Sequence, residues 1–321
     1  MIPSLRGLLI LDPEPSSQKG GGRKHNKNKL HYIPNDSLRV LHAYALRKIE
    51  EYIFEMPSAT GWIKGRGSIT KDHILSHTNG QGFFHEYWYI TDIKDAFRSV
   101  NLQKMSWVLC NLFPYYDFTN WPDMKEYLKK YFFAPGGSGL AEGYSTSPKL
   151  FNIYAEKMID QHFRELCTQY NISYTRFGDD LIFTSDTIIG KKKKKALLSI
   201  LRVAEFTPND NKTHSFNLNK LKEGKIINGV GIRNTSTQAE IFLPRSKRKK
   251  LEMLLYLFWY DEAKLNPRKI EGLMGWFNQV TDSSKKGKRT LNTSEEKILK
   301  YYNRASFGLK ELIREMREET T

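Results

Sequence analysis

"YTRFGDDLIFT", residues 174–184, sets two adjacent aspartates after a glycine and between two runs of strand-forming residues. Aromatic and β-branched residues interrupted by a Gly-Asp pair read as a hairpin. Its turn would carry Asp179 and Asp180 at the tip of arms that look buried. Neighbouring carboxylates repel each other and cost stability unless a cation neutralises them. Magnesium takes carboxylate oxygens together with substrate phosphates. A third carboxylate would complete a two-metal site for in-line phosphoryl chemistry. Asp92, closing the strand-like "YWYITD" of residues 87–92, is the natural donor, whereas Asp95 should point elsewhere.

Working outward, "DSLRVLHAYALRKIEEYIFEM" (residues 36–56) has apolar residues at spacings of three and four, with Asp36 or Ser37 as N-cap. "PKLFNIYAEKMIDQHFREL" (148–166) predicts one amphipathic helix, Leu150, Phe151, Tyr154, Met158, Ile159 and Phe163 making its apolar face. "KKKKKALLSILRVAEF" (191–206) predicts a helix with a basic start, and "KIINGVGI" (225–232) a short strand pair. From Pro244 onward the chain is helical and basic, which marks a boundary. The expected organisation is a basic N-terminal arm over 1–30, then an α+β sheet domain, then a helical module from about Pro244 onward.

Composition narrows the partners. The 321 residues carry 51 Lys plus Arg against 35 Asp plus Glu, a formal charge of +16. Such a surplus favours a polyanionic partner, nucleic acid or an anionic membrane surface. No apolar run approaches the ~20 residues that span a bilayer, so no membrane is expected. "GLLIL" (7–11) is too short for a signal peptide and is followed by Pro13. Cys110 and Cys167 offer neither a disulfide framework nor zinc spacing, which fits a reducing cytoplasm.

A Gly-Asp-Asp turn alone is ordinary; its order in the chain decides. A strand ending in Asp92 comes first, then "GLAEGYSTSPKLFNIYA" (139–155), a Gly-rich turn running into a helix, then the aspartate hairpin, then a basic segment and another strand. The sequence resembles reverse transcriptases, most closely the bacterial retron-type group, over roughly residues 30 to 310. "DIKDAF" (92–97) resembles their first metal motif, "GLAEGYSTSPKLFNIYA" their template- and nucleotide-positioning motif, and "RFGDDLIF" (176–183) their Tyr-x-Asp-Asp motif. "FNLNKLK" (216–222) resembles the Asn-x-x-Lys segment near the entering triphosphate, "IINGVGI" (226–232) the primer-gripping strand, and "GWIKGRGSI" (61–69) the fingers segment.

The resemblance implies a right-hand polymerase: fingers over 31–90 with part of 101–140, palm over 91–243, helical thumb over 244–321. It implies an RNA-directed DNA polymerase that uses Mg2+ and deoxynucleoside triphosphates to copy a dedicated structured non-coding RNA into DNA, in retron-like antiphage defence and with an effector protein as a further partner. Asp92, Asp179 and Asp180 become the catalytic, metal-binding carboxylates, with the Ile93 carbonyl as a further ligand. Phe97 falls where the family holds a ring under the sugar, excluding a 2′-hydroxyl. Glu142 and Gly143 fall in the nucleotide-positioning loop, and Lys220, Lys64 and Arg66 are candidates for phosphate binding. The chain departs from the family pattern at Phe177, in place of Tyr, and at Ala141–Glu142, in place of Pro-Gln. A carboxylate beside a triphosphate needs a cation, and Arg66 is the expected partner of Glu142. "HILSH" (73–77) and "ING" (227–229) also differ from the usual retron motifs. Other readings stay open: a non-retron defence-associated enzyme with atypical or non-templated synthesis, an RNA-dependent RNA polymerase, or a catalytically inactive RNA-binding module.

Overall fold

The computed structural model describes residues 16–19, 30–51, 55–63, 73–112, 121–260, 267–286, 293 and 295–303. The chain forms two compact units, Met1–Gly67 with Tyr89–Ser215 and Ser68–Trp88 with Phe216–Thr321. Residues 216–243 fall in the second unit with the C-terminal helices.

The first unit opens with an antiparallel pair, β1 (Ser16–Lys19) and β2 (Leu30–Ile33), so part of the expected basic arm is a strand. Helix α1 (Asp36–Glu51) follows. Its cap is Asn35, one residue earlier than expected: the Leu38 N–H donates to Asn35 Oδ1 at 2.9 Å. Asp36 sits in the first turn instead, where its charge suits the helix N-terminus and meets Arg39 at 3.1 Å. Then come β3 (Tyr87–Asp92), α2 (Leu102–Leu112), α3 (Trp121–Tyr131), α4 (Ser147–Ala155), α5 (Gln161–Tyr170), β4 (Ser173–Phe177), β5 (Asp180–Ser185), α6 (Lys191–Val203) and β6 (His214–Asn217). The chain crosses between the units within β3 and β6. The sheet runs in the order β4-β5-β3-β6, so the strands bearing Asp92 and Asp180 are neighbours at its centre. Both are buried along nearly their whole length. Tyr89 and Phe183 stack at 5.9 Å, and Phe163 of α5 meets Phe183 edge-on at 5.1 Å. The basic start of α6 is partly packed as well: Lys193 lies over the Tyr170 ring and Lys194 over the Tyr89 ring.

The predicted single helix over 148–166 contains a π-helical turn, Glu156–Asp160, between α4 and α5. Its reason is polar. The extra residue turns Glu156 and Asp160 inward, where both are buried. Asp160 accepts from Arg176 Nη2 at 2.7 Å, from Arg176 Nε, and from the Tyr174 hydroxyl at 2.7 Å. Arg176 is completely buried; its Nη1 donates to Asn152 Oδ1 at 2.8 Å and to the Gly178 carbonyl at 3.0 Å. Its backbone engages the outer edge of β4: the Arg176 N–H donates to the Ser58 carbonyl and the Thr60 N–H to the Arg176 carbonyl, each at 2.8 Å. Asn152 Nδ2 completes the set by donating to the Gly61 carbonyl at 2.8 Å.

In the second unit, β7 (Lys225–Ile227), β8 (Val230–Asn234) and β9 (Ala239–Phe242) form an antiparallel sheet, as "KIINGVGI" suggested for the first two. Helices α7 (Arg245–Tyr260) and α8 (Pro267–Lys286) follow, α8 lying against β9. His73 and His77 are fully buried here, and burial pushes the His73 imidazole down to about 3.

Removing a partner from a buried ion pair strands the other charge and costs about 3–5 kcal/mol. Arg176→Ala is therefore expected to lower the unfolding free energy of the first unit by that order, measured by urea denaturation. A loss below about 1 kcal/mol would show that the interior tolerates an unpaired Asp160.

Candidate active site

Phe177 pairs with Asp180 in the β4–β5 ladder, leaving Gly178 and Asp179 as a two-residue turn. Gly178 has φ 66°, the positive value that the first residue of a twist-matched II′ turn requires. This geometry sends Asp179 and Asp180 off the end of the hairpin towards the end of β3. Asp92, Asp179 and Asp180 each present a carboxylate oxygen, and these oxygens lie within 4.8 Å of one another. The Ile93 N–H donates to the Asp179 carbonyl at 3.0 Å, tying the end of β3 to the turn.

Three carboxylates at this spacing resist full ionisation. Burial first, then the charges of Asp179 and Asp92, push the Asp180 carboxyl up to about 7. Asp179 is also raised, by burial and by Asp92. The opposing charge is Lys212, whose Nζ donates to Asp92 Oδ1 at 3.0 Å. Asn209 holds the other oxygen: its Nδ2 donates to Asp92 Oδ2 at 2.9 Å, and its backbone N–H to the Asp92 carbonyl at 2.7 Å. Against a desolvation that lowers it, the hydrogen bond to Asp92 and the charges of Asp92, Asp179 and Asp180 raise the Lys212 ammonium in turn.

Asn209 and Lys212 were not singled out from the sequence. "NDNK" (209–212) and "NLNK" (217–220) have the same Asn-x-x-Lys spacing, and the family resemblance points to the second. The turn-forming "TPND" before the first Lys was the available signal. Asn217 donates instead to Glu86 within the second unit, and Lys220 is exposed on the short turn after β6.

The remaining site residues fall in two groups. Phe97 is half-buried, stacked on Trp62 at 5.5 Å and edge-on to Phe151 at 5.6 Å. The Leu140 N–H donates to the Phe97 carbonyl at 2.8 Å, which brings the 139–143 loop beside it. Glu142 is buried, and Arg98 Nε lies 3.5 Å from its Oε1. The expected cation is thus present as Arg98, adjacent to Phe97; Arg66 and Lys64 lie outside the described residues, as does "GRGSI". Gly143, at φ 106°, lies directly under β2: the Tyr32 N–H donates to the Glu142 carbonyl at 2.7 Å, and a Cβ on Gly143 would fall 2.5 Å from the Tyr32 oxygen. Phe177, which replaces the usual Tyr, pairs at the root of the turn.

A family model described as reverse transcriptase (RNA-dependent DNA polymerase) matches residues 22–255. The chain belongs to the reverse transcriptase family. The mixed helical and antiparallel architecture is that family's α+β polymerase fold. Among curated proteins none matches the chain. Solved structures that it is similar to include telomerase from Candida tropicalis with a fragment of telomeric RNA, at 12% identity, TM-score 0.45, 84% of this chain and 50% of that one. Telomerase from Candida albicans with the corresponding RNA fragment gives 12% identity, TM-score 0.49, 90% of this chain and 56% of that one. The reverse transcriptase chain thus spans about half the length of these structures. Among the described residues no helix is long and apolar enough to cross a membrane.

The carboxylate cluster fits divalent cations on its own chemistry: hard oxygen donors that converge within 4.8 Å of one another. The sign of its pH dependence follows. Asp180 titrates near 7 in the folded protein against 3.8 for the free side chain. The folded state therefore binds this proton more tightly, and the metal-free fold loses stability as pH rises from about 4 through about 7. A cation needs the ionised form, so its affinity should rise with pH across the same window. Calorimetric titration with Mg2+ or Mn2+ is expected to show about tenfold tighter binding at pH 8 than at pH 6, with proton release at pH 6. Equal affinity at both values would show that Asp180 is already ionised in the metal-free protein.

Proposed function

We propose that the protein is a divalent-metal-dependent, RNA-directed DNA polymerase with Asp92, Asp179 and Asp180 as its catalytic carboxylates. The convergence of these three side chains inside a reverse transcriptase domain carries the reading. On it, residues 91–243 act as palm, 31–90 with part of 101–140 as fingers, and 244–321 as thumb. Asp92, Asp179, Asp180 and the Ile93 carbonyl would hold Mg2+. Bound there, the metal would polarise the triphosphate and activate the primer 3′-hydroxyl for in-line attack.

The chain's own residues do the rest. Asn209 and Lys212 fix both oxygens of Asp92, so its carboxylate is oriented before a cation arrives. Phe97 stands as the ring that excludes a 2′-hydroxyl and selects deoxynucleotides. Arg98 neutralises Glu142, which keeps a buried carboxylate tolerable beside a triphosphate. Lys220, Lys64 and Arg66 remain proposed phosphate contacts. A surplus of +16 supports a structured RNA template, with DNA as product.

The motif blocks support placement near the bacterial retron-type enzymes, with a role in phage defence and an effector protein as partner. Glu142 favours a second reading within the same class, a defence-associated enzyme with atypical or non-templated synthesis. A buried, ion-paired Glu cannot donate the hydrogen bond that Gln would.

Asp92→Asn and Asp179→Asn are each expected to reduce magnesium-dependent extension of a primed RNA by at least about a thousandfold. RNA binding and the melting temperature should hold. Near wild-type extension by either variant would refute the site. Glu142→Gln is expected to change the KM of at least one of the four deoxynucleotides severalfold while leaving RNA affinity unchanged. Steady-state kinetics with each nucleotide reads this out. Identical constants for all four would remove Glu142 from the nucleotide pocket.

A further inference from the structure

Trp62 is the least expected side chain near the aspartate hairpin. It has φ 58°, a left-handed conformation that bulky L residues rarely adopt. It is also 45% exposed, although it is among the largest apolar side chains of the first unit. Both features disfavour this conformation unless the surrounding structure holds it.

Three contacts hold it. Asn152 Nδ2 grips the Gly61 carbonyl, and the Thr60 N–H and hydroxyl both donate to the Arg176 carbonyl, which fixes the backbone leading into Trp62. The indole then packs over Gly178: a Cβ there would sit 2.9 Å from Trp62 Cη2, so the turn glycine leaves room for the ring as well as for its own φ. Finally, the indole stacks on Phe97, centroids 5.5 Å apart and planes 27° from parallel, while both rings meet Phe151 edge-on. Phe151 is packed in its turn, completely buried with the Arg176 guanidinium 5.5 Å from its centroid. Phe97 is thus clamped between a fixed ring and a strained one.

A ring can exclude a 2′-hydroxyl only if it cannot swing aside. Phe97 lies at a half-buried position, where a phenyl group alone would be free to change rotamer. We propose that Trp62 is a specificity-determining residue: by stacking on Phe97 it fixes the ring that selects deoxy- over ribonucleotides. This rests on the reading of Phe97 given above. Trp62 needs no contact with the sugar itself, so it is a positioning residue whose effect appears in the choice between substrates. A purely structural role would lower the amount of folded enzyme and leave that choice unchanged.

The test compares wild type, Phe97→Ala, Trp62→Ala, Trp62→Leu and Trp62→Phe, each with primed RNA and Mg2+. The readouts are the ratio of kcat/KM for a deoxynucleotide to that for its ribo counterpart, and the ratio of their equilibrium affinities. Trp62→Ala should lower both ratios on the order of tenfold, in the same direction as Phe97→Ala, and Trp62→Phe should restore most of the loss. Trp62→Leu keeps apolar bulk without a flat ring; it should behave like Trp62→Ala and serves if that variant does not fold. If Phe97→Ala relaxes the choice and the Trp62 variants do not, the clamp is overturned and the reading of Phe97 stands. If Phe97→Ala changes nothing, the reading of Phe97 fails and the clamp with it.

Discussion

A guanidinium stripped of water destabilises the fold that buries it unless acceptors converge on it. Arg176 finds them in Asp160, Asn152 and the Gly178 carbonyl, which take up Nε, Nη1 and Nη2, and each acceptor sits on a different piece of chain. Asp160 needs the π-helical turn to face inward. Asn152 needs α4 in place and in turn secures Gly61. Gly178 is the first residue of the turn that carries Asp179. One buried side chain therefore sets the helix packed under the sheet, the segment along the edge of β4, and the aspartate turn.

The chemistry above this network has the opposite character. The three carboxylates are crowded and only partly compensated, since Lys212 reaches Asp92 while Asp180 is left with a raised affinity for its proton. Such a cluster fits the binding of divalent cations. The hydrogen-bonded network around Arg176 is what keeps these mutually repelling groups in place.

Much of this was legible in the sequence, because hairpin and strand signals are local. The Gly178 turn, the strand ending in Asp92, helix α6 and the β7–β8 pair all follow from residue type and period. What stayed hidden was set by long-range polar partners. Nothing in the amphipathic pattern of 148–166 reveals that Asp160 points inward, since hydrophobic periodicity treats a carboxylate as surface. Nor does spacing separate Asn209–Lys212 from Asn217–Lys220; only the pairing with Asp92 does. Spacing does not reveal Arg98 as a partner of Glu142, because the two meet through a loop fold-back rather than along one element.

The order β4-β5-β3-β6 has a consequence for how the enzyme comes into being. The β4–β5 hairpin joins segments adjacent in the chain and closes cheaply, whereas docking β3 beside β5 closes a long loop containing α2 to α5. Asp92 therefore reaches the other two aspartates only when that distant pairing is made. During synthesis on the ribosome, Asp92 emerges long before its partners, and the hairpin that follows holds two carboxylates but no complete cluster. The triad is thus assembled by the slowest class of contact in the fold, and an incompletely folded chain lacks the complete carboxylate cluster.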